Sequence, residues 1–495
     1  MSSNPQVLIA GAGPVGMTLA NELARHGVSV RIVDKSAART DKSKALVLWS
    51  RSLELFDDAG YAADFASSGM IAHGAQISTG KEIVARVSLD TIDSRFPYAL
   101  MIAQSETERV LEEKLAARGV KVERTVELTG FQDDGRRVSA MLRRADGTTE
   151  TVTADWLAGC DGAHSTVRHM LGMAFEGSTM QSDWVLADGH IAGIEPKDRI
   201  HIFWHRDGIL AFFPIVGDRY RVIADLGPAE GDGQGSGQGG GHRADPTMAE
   251  VQALLDRRGT PGMKFANPVW LASFRINERK VKDYRKGRVF LAGDAAHIHS
   301  PAGGQGMNTG MQDAFNLAWK LAMVIGGRAA PALLDSYSPE RSAVGDRVLR
   351  NAGRVTDAAI VRNPVIQDLR NTVVRFAAGF PLIQHKIADM LAELDIGYPQ
   401  SRLSVTGHHF PQGPKVGERW PKPLQAGSRA AKFTAIGPAE IVNAIAAKFP
   451  SLVVAEPEST ADHALRLVRP DGYVGFAGTA ADHHRAEAYL ITLAA

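Results

Sequence analysis

The sequence has very little cysteine and almost no net charge. Cys160 is the single cysteine among 495 residues, so no disulfide can form within the chain and a cysteine-based metal site is not expected. Lys and Arg number 56 against 55 Asp and Glu, which gives a net charge of +1. This balance gives no electrostatic reason to expect nucleic acid or an anionic membrane as a partner.

Long apolar runs are also missing. No stretch reaches the roughly 18 apolar residues that a membrane span requires. The first residues, Met1–Pro5, lack the basic segment and apolar core of a secretory signal. Among the 16 histidines no H-E-x-x-H spacing occurs. We therefore expect a cytoplasmic protein with no membrane partner and no metal site.

A glycine-rich turn follows the first apolar strand, Gln6–Ala10. Its residues are Gly11, Ala12, Gly13, Pro14, Val15 and Gly16. In a G-x-G-x-x-G turn the first glycine permits the tight turn, the second lets the backbone approach a pyrophosphate, and the third lets the helix pack on the strand. Asp34, at the end of the second strand, can accept hydrogen bonds from a ribose. The pattern predicts a dinucleotide site without deciding between FAD and NAD.

Two further segments, Ala158–Arg168 and Gly287–Gly310, each combine an apolar strand with an acidic turn. The second leads through glycines into a long apolar helix, predicted over residues 306–325. In these segments the chain closely resembles the flavoprotein aromatic hydroxylases, the class that includes p-hydroxybenzoate, phenol and polyketide hydroxylases. The resemblance covers most of residues 5–345 and implies that the dinucleotide is FAD. Arg168 can pair with Asp161 or approach the cofactor pyrophosphate.

The resemblance also implies which residues contact FAD. Beyond the turn and Asp34, these candidates are Lys44, Gln104, Asp161, Asp294, Pro301, Gly304, Gly306, Met307 and Asn308. The carboxylate of Asp294 is expected to accept a hydrogen bond from the ribityl chain. The helix start after Gly306 is expected to point its N–H groups at the flavin pyrimidine edge, where its dipole favours negative charge. Lys44 departs from the arginine of many relatives and provides a point charge in place of a bidentate donor.

The middle of the chain is rich in strands and bulky side chains. Trp204, Phe213 and Pro214 are candidates for the substrate pocket, with plain core as the alternative. Gly231–Gly241 has no apolar residue to bury and predicts a flexible loop.

The predicted fold is α/β. A Rossmann-like FAD-binding domain over residues 1–180 and 280–398 is interrupted by a β-rich substrate domain over 181–279, with contributions from about 70–100. The resemblance suggests a degenerate thioredoxin-like domain over 399–495, which without cysteine cannot perform thiol–disulfide exchange.

The predicted function is that of an FAD-dependent monooxygenase. The resemblance implies hydroxylation of a phenolic or polycyclic aromatic substrate with NADPH or NADH and O₂, through a flavin C4a-hydroperoxide. A Baeyer–Villiger oxygenation on the same fold is an alternative. A non-catalytic flavin-binding scaffold is the alternative of another class, whereas the W-x-W-x-I-P segment of a halogenase is not found. The expected partner is a small aromatic molecule, and the protein is expected to be a monomer or a homodimer.

Overall fold

The computed structural model describes residues 4–41, 43–80, 82–228, 243–409, 411–424 and 431–494. The loop predicted over Gly231–Gly241 lies outside these ranges. Among the described helices, none is long and apolar enough to cross a membrane.

The described residues contain both β-strands and α-helices. The β-strands are β1 (Val7–Ala10), β2 (Val30–Asp34), β3 (Val47–Leu48), β4 (Met70–Ala72), β5 (Gly74–Ser78), β6 (Ile83–Ser88), β7 (Ala99–Met101), β8 (Val122–Arg124), β9 (Val126–Asp133), β10 (Val138–Arg144), β11 (Thr149–Ala154), β12 (Trp156–Gly159), β13 (Glu176–Ala192), β14 (Ile200–His205), β15 (Gly208–Pro214), β16 (Arg219–Pro228), β17 (Lys264–Lys280), β18 (Arg285–Lys286), β19 (Val289–Leu291), β20 (His297–Ile298), β21 (Val405–Thr406), β22 (Phe433–Gly437), β23 (Val453–Pro457), β24 (Ala464–Val468) and β25 (Val474–Thr479). The α-helices are α1 (Pro14–Arg25), α2 (Ser50–Asp58), α3 (Ala62–Ala66), α4 (Gln104–Ala117), α5 (Thr166–Met170), α6 (Met248–Arg258), α7 (Gly306–Ile325), α8 (Tyr337–Ala359), α9 (Pro364–Ala377), α10 (Pro381–Leu391), α11 (Ala439–Lys448) and α12 (His483–Leu493).

A six-stranded sheet in the order β18-β19-β12-β1-β2-β8 forms the first layer. β1 pairs in parallel with β2 and β12, and β12 pairs in parallel with β19. Every residue of β1, β12 and β19 is buried, as expected for parallel strands covered on both faces. The helices α1 and α7 pack against each other at this sheet. The predicted α/β class and the predicted bounds of α7 are confirmed.

An eight-stranded sheet in the order β20-β17-β13-β16-β15-β14-β5-β6 forms the second layer. Its strands β5 and β6 come from residues 74–88 and join the strands between 176 and 280. One face of this sheet packs against α6, where Val185, Val222 and Leu255 share a buried cluster. Because side chains alternate along a strand, the neighbours of these residues point to the opposite face, toward the first sheet.

The C-terminal residues form a separate five-stranded sheet in the order β21-β25-β24-β22-β23. The helix α11 connects the parallel strands β22 and β23. The strands β24 and β25 form an antiparallel hairpin, and α12 follows. Phe433 of β22 packs edge-on against Trp319 of α7, so this sheet shares a buried core with the first layer.

Candidate functional site

A continuous groove follows the ends of β1, β2 and β12, and one part of it lies between the two larger sheets. It consists of two cavities, of about 370 Å³ and about 310 Å³. Both cavities are bordered by Gly13, Lys44, Cys160 and Gly162. The smaller cavity, which we call the turn end, is lined in part by Gly11, Ala12, Asp34, Arg124, Asp161 and Thr166. The larger one, the loop end, is lined in part by Val47, Gln104, Phe213, Arg221, Ile223, Asp294, Ile298, His299, Pro301, Gly304, Gly306 and Met307.

The glycine turn brings the backbone itself to the wall of the groove. Gly11 has a φ of +100°, and a Cβ there would collide with the backbone carbonyl of Cys160. Gly13 is the N-terminal cap of α1, and no atom lies within 4 Å of the position that its Cβ would occupy. Pro14 is the first residue of α1, where its missing N–H costs no hydrogen bond. The helix start therefore faces open space with its backbone N–H groups accessible to an anion.

Asp34 closes the turn end. Its Oδ2 accepts a hydrogen bond of 2.6 Å from the Ala12 N–H, and its Oδ1 accepts one of 2.7 Å from the Ser36 N–H. The carboxylate thus fixes the glycine turn to the end of β2 while it remains at the groove wall.

Asp161 presents an unused oxygen at the same end. Its Oδ2 accepts a hydrogen bond from the Val167 N–H at 3.1 Å, whereas its Oδ1 is buried without a partner in the described structure. Of the two options that the sequence left open for Arg168, an ion pair with Asp161 is not found among the described residues, and an approach to the pyrophosphate stays a prediction. The Arg168 guanidinium donates to the Ala163 carbonyl at 2.8 Å and to the Ala295 carbonyl at 3.1 Å. Arg168 therefore joins the segment Ala158–Arg168 to the segment Gly287–Gly310.

Asp294 lies on a short 3₁₀ turn, Gly293–Ala295, and its carboxylate lines the loop end. Among the described residues none donates a hydrogen bond to this carboxylate. Desolvation by the surrounding protein raises the pKa of Asp294, although the charges of His297 and Lys44 act in the opposite direction. A carboxylate that is exposed to the groove and has no protein donor is a site at which a ligand hydroxyl can donate.

The glycine loop before α7 is held in place by Asn308. Gly304 has a φ of +64° and its N–H donates to the Pro301 carbonyl at 2.9 Å. The Asn308 amide donates to the carbonyls of Val47 at 2.9 Å and of Gly304 at 3.1 Å, and accepts from the Trp49 N–H at 2.9 Å. The Asn308 side chain is thus occupied by protein partners and does not line the groove, unlike Pro301, Gly304, Gly306 and Met307.

Gln104 and Lys44 border the groove from the opposite wall. The Gln104 Oε1 accepts from the Ala45 N–H at 3.2 Å, and its Nε2 donates to Glu108 at 2.9 Å. Lys44 is exposed, and its own carbonyl accepts a hydrogen bond of 3.2 Å from Arg221. The Lys44 charge is therefore presented at the junction of the two ends.

The second sheet closes the loop end with Phe213, Ile223 and Arg221. The Arg221 guanidinium donates to both oxygens of Asp188, at 2.8 and 2.7 Å. Arg221 also lies 5.4 Å from the ring centre of Trp270. The sequence did not single out this pair, because only the register of β13 with β16 places Asp188 opposite Arg221.

The other two substrate-pocket candidates do not line the loop end. Trp204 shares the sheet face of Phe213 by strand register but lies near the sheet edge, where it borders a separate polar depression. The guanidinium of Arg370 stacks over its ring at 4.2 Å. Pro214 is buried at the end of β15 and is not part of the groove wall. Side-chain alternation alone could not distinguish these positions along the strand.

His299 contributes a neutral imidazole to the loop end. Its Nδ1 donates to the Ser300 carbonyl at 2.8 Å, which leaves Nε2 as an acceptor. This Nε2 is buried and has no partner in the described structure. Burial lowers the pKa of His299 to about 4, so the ring is uncharged at neutral pH.

A buried ion network lies directly beneath the Asp294 turn. The Asp313 Oδ2 accepts from the Gly293 N–H at 3.0 Å and pairs with the His297 Nε2 at 2.8 Å. Its Oδ1 accepts from the Arg341 Nε at 2.6 Å. Burial alone would raise the pKa of Asp313, but the charge of Arg341 lowers it below the ordinary value. Asp313 is the one acidic residue of α7, and it was the sequence signal that could have pointed to this network.

The start of α7 is held by the segment after α10. Glu393, with a φ of +59°, accepts from the Thr309 hydroxyl at 2.8 Å and from the Gln312 amide at 2.5 Å. The Gln305 amide donates to the Met390 carbonyl at 2.7 Å. Burial raises the pKa of Glu393 to about 8. The carboxyl is therefore largely protonated at neutral pH.

The C-terminal sheet reaches the same helix through charged groups. The Arg469 guanidinium donates to Glu340 of α8 at 2.8 and 2.9 Å, and Glu340 accepts from Lys320 of α7 at 2.7 Å. All three side chains are fully buried. Burial lowers the pKa of Lys320 to about 8, and the charges of the paired Glu340 and of Asp471 offset part of this cost. In the described residues no cluster of three or more metal-ligating side chains is found.

The chain was compared with known families, sequences and structures. Residues 4–352 match the family described as FAD binding domain. The chain is 39% identical over 414 residues to 6-methylpretetramide 4-monooxygenase of Streptomyces rimosus, covering 81% of this chain and 72% of that protein. It is 37% identical over 356 residues to pentachlorophenol 4-monooxygenase of Sphingobium chlorophenolicum, covering 70% of this chain and 64% of that protein.

The structural comparison extends the likeness over the C-terminal residues. The anhydrotetracycline hydroxylase OxyS from Streptomyces rimosus superimposes with a TM-score of 0.80 at 29% identity, covering 99% of both chains. With the family match over most of the chain, these likenesses fix both the cofactor and the class of reaction. The chain belongs to the FAD-dependent aromatic hydroxylases and is an NAD(P)H-dependent flavoprotein monooxygenase.

Proposed function

We propose that FAD lies along the groove with its adenosine at the turn end and its ring system at the loop end. Three unused features support this placement: the open space beyond Gly13, the unpartnered Oδ1 of Asp161, and the carboxylate of Asp294. In this placement Asp34 and Gln104 border the nucleotide and ribityl portions. When bound, FAD supplies hydride acceptance from NADPH or NADH and the activation of O₂.

The chain's own residues have distinct tasks around that cofactor. The N-terminus of α7, at Gly306 and Met307, directs its free N–H groups and its positive dipole end at the loop end, which stabilises negative charge there. Asn308 fixes the preceding loop in the geometry that this requires. The neutral His299 adds an acceptor without adding charge. The apolar walls exclude water.

We further propose that the substrate is a phenolic or polycyclic aromatic molecule that binds between the loop end and the second sheet. The observation that carries this proposal is the apolar wall of Phe213 and Ile223 beside the guanidinium of Arg221, which Asp188 holds in place. A flat apolar wall suits an aromatic ring, and Arg221 can orient an electron-rich oxygen. The relatives named for pretetramide, anhydrotetracycline and pentachlorophenol point to the same class.

The domain division remains part of this proposal: a cofactor domain over 1–180 and 280–398, a substrate domain over 181–279 with the strands near 70–100, and a thioredoxin-like domain over 399–495. The order β23-β22-β24-β25, with a parallel β–α–β unit, an antiparallel hairpin and a final helix, supports the last assignment. In this proposal the C-terminal domain packs against α7 through Arg469.

The test is substrate-stimulated NADPH or NADH oxidation by the FAD-loaded protein with a panel of phenols and polycyclic aromatics. We expect O₂ uptake and a product heavier by one oxygen atom. Phe213→Ala should raise the KM for the aromatic substrate, whereas Trp204→Ala, a matched change on the same sheet face, should not. Products in which the added oxygen forms an ester would show that the reaction is the Baeyer–Villiger alternative and not hydroxylation. No stimulation by any bound aromatic would refute the proposal.

A further inference from the structure

The helix α9 is oriented with its polar side inward and its apolar side outward. Gln367 is the buried residue of this helix, and its amide donates to the carbonyls of Val361 at 2.6 Å and Arg206 at 3.2 Å. Arg370 points inward as well and stacks on Trp204 at 4.2 Å. An amphipathic helix on a soluble protein normally buries its apolar side, so this orientation leaves that side unpartnered in a single chain.

The outward side of α9 is continuous with the start of α10. Its apolar side chains, which we call the α9 face, are Val365, Ile366, Leu369, Val373, Phe376, Phe380, Leu382 and Ile383. They are 38–76% exposed, and the rings of Phe376 and Phe380 pack with their centres 4.9 Å apart. Together these partly exposed side chains present roughly 800 Å² of apolar surface. For comparison, one whole aromatic side chain has about 150–250 Å². Monomeric proteins rarely expose so large an apolar patch, and each partner of a standard interface buries about this area.

We propose that the α9 face is the interface of a homodimer in which α9 packs antiparallel against α9 of a second copy. A twofold axis midway between Leu369 and Val373 places Leu369 opposite the partner's Val373. The same operation places Ile366 opposite the partner's Phe376. The four apolar positions along the middle of α9, Ile366, Leu369, Val373 and Phe376, therefore meet apolar positions, which is the self-complementarity that a twofold interface requires.

The charges beside the stripe fit the same register. Asp368 and Arg375 are seven residues apart, which is about two helical turns, so both lie on one flank of the face, where they also border the polar depression beside Trp204. In an antiparallel pair equal flanks meet, and the twofold axis brings Asp368 next to the partner's Arg375 on both sides of the interface. Asp368 forms no ion pair within the described part of its own chain, and Arg375 contacts only the exposed Glu82 at 2.9 Å. This charge complementarity favours a second copy over a lipid surface or an unrelated protein.

The first experiment measures the mass of the FAD-loaded protein in solution by sedimentation over a range of concentrations. We expect a dimer for the unmodified chain. Leu369→Asp and Phe376→Asp should each weaken dimerisation by about 100-fold or more, because a charge would be buried at the centre of the interface. Val216→Asp is the matched control, since Val216 is 60% exposed in a turn elsewhere, and it should leave the dimer unchanged.

The second experiment tests the register. Asp368→Arg and Arg375→Asp should each weaken the dimer, and the double exchange should restore it. Thr372→Cys should give covalent dimers with a short bis-maleimide linker, because Cys160 is buried and the new thiol lies near the axis. A monomeric unmodified chain, a dimer that survives Leu369→Asp together with Phe376→Asp, or a double exchange that fails to restore the dimer would each overturn the proposal. Flavin absorbance and circular dichroism of every variant distinguish lost association from misfolding.

Discussion

The two ends of the groove are constructed in different ways. At the turn end the glycine turn and Asp34 belong to one β–α–β unit and are joined by their own hydrogen bond, while Arg124, Asp161 and Thr166 complete the wall from other elements. The loop end combines Val47, Phe213, Ile223, His299 and Met307, which are distant in sequence and come from different elements. The glycine turn and Asp34 therefore depend mainly on local conformation, whereas the loop end depends on how several layers pack. Variants of single acidic residues can separate these two kinds of dependence.

The largest effect is expected for Asp313→Ala, beneath the loop end. The change leaves Arg341 and His297 buried without their partner, which costs about 3–5 kcal/mol of folding stability. Denaturant unfolding of the FAD-saturated protein measures this cost. Asp256→Ala, at an exposed helical position, serves as the control and should change stability by less than about 0.5 kcal/mol. A comparable small loss for Asp313→Ala would show that the loop end does not rest on this network.

Glu393→Gln is expected to change how stability depends on pH. The folded pKa of Glu393 is about 8 and the ordinary value is 4.5, so the folded chain holds a proton that the unfolded chain releases between these values. The contribution of protonated Glu393 to folding stability is complete below about pH 4.5. It is lost progressively as the pH rises to about 8, by at most about 1.4 kcal/mol per pH unit.

The measurement is the difference in unfolding free energy between the unmodified chain and Glu393→Gln from pH 5 to pH 8. Glutamine keeps the shape and the acceptor for Thr309 while it removes the titration. The unmodified chain should lose stability relative to the variant as the pH rises. If the unfolding free energies of the two chains changed in parallel with pH, Glu393 would be ionised in the folded state. Glu82→Gln at the surface is the control for the loss of a carboxylate.

Asp294→Ala should weaken FAD binding at the loop end by about 1.5–3 kcal/mol, because one hydrogen bond to a charged acceptor is lost. The apoprotein should be about as stable as before, since this carboxylate is exposed to the groove and has no protein donor in the described structure. Fluorescence titration with FAD and thermal unfolding of the apoprotein provide the two readouts. An unchanged FAD dissociation constant would remove Asp294 from the binding site.

Asp34→Ala is the corresponding change at the turn end, to be compared with Asp294→Ala at the loop end. Its expected effect on folding stability is small but measurable. Here the apoprotein itself should lose about 1 kcal/mol, because the N–H groups of Ala12 and Ser36 lose their acceptor. FAD binding should weaken as well. If the apoprotein were unaffected, as expected for Asp294→Ala, the turn end would not be held by its own local hydrogen bonds.

The sequence predicted well what is local. The turn of Gly11 to Gly16, the strand that ends at Asp34, and the helix over 306–325 are each specified by residues within about one element, and the structure has them at these positions. The α/β class followed from the same alternation of strand and helix. The resemblance, carried by two long motifs, gave the cofactor and the reaction class before any three-dimensional contact was considered.

The sequence could not decide what depends on pairing between distant residues. Phe213 lines the groove while Trp204, on the same sheet face, does not, because Trp204 lies opposite Ile209, at the other end of β15 from Phe213. The Asp188–Arg221 and Asp313–Arg341 pairs exist only because separate elements pack with one register. A local pattern fixes backbone conformation through steric and hydrogen-bonding preferences of neighbouring residues. Burial, charge pairing and pKa depend on which distant groups approach, and only the tertiary structure determines that.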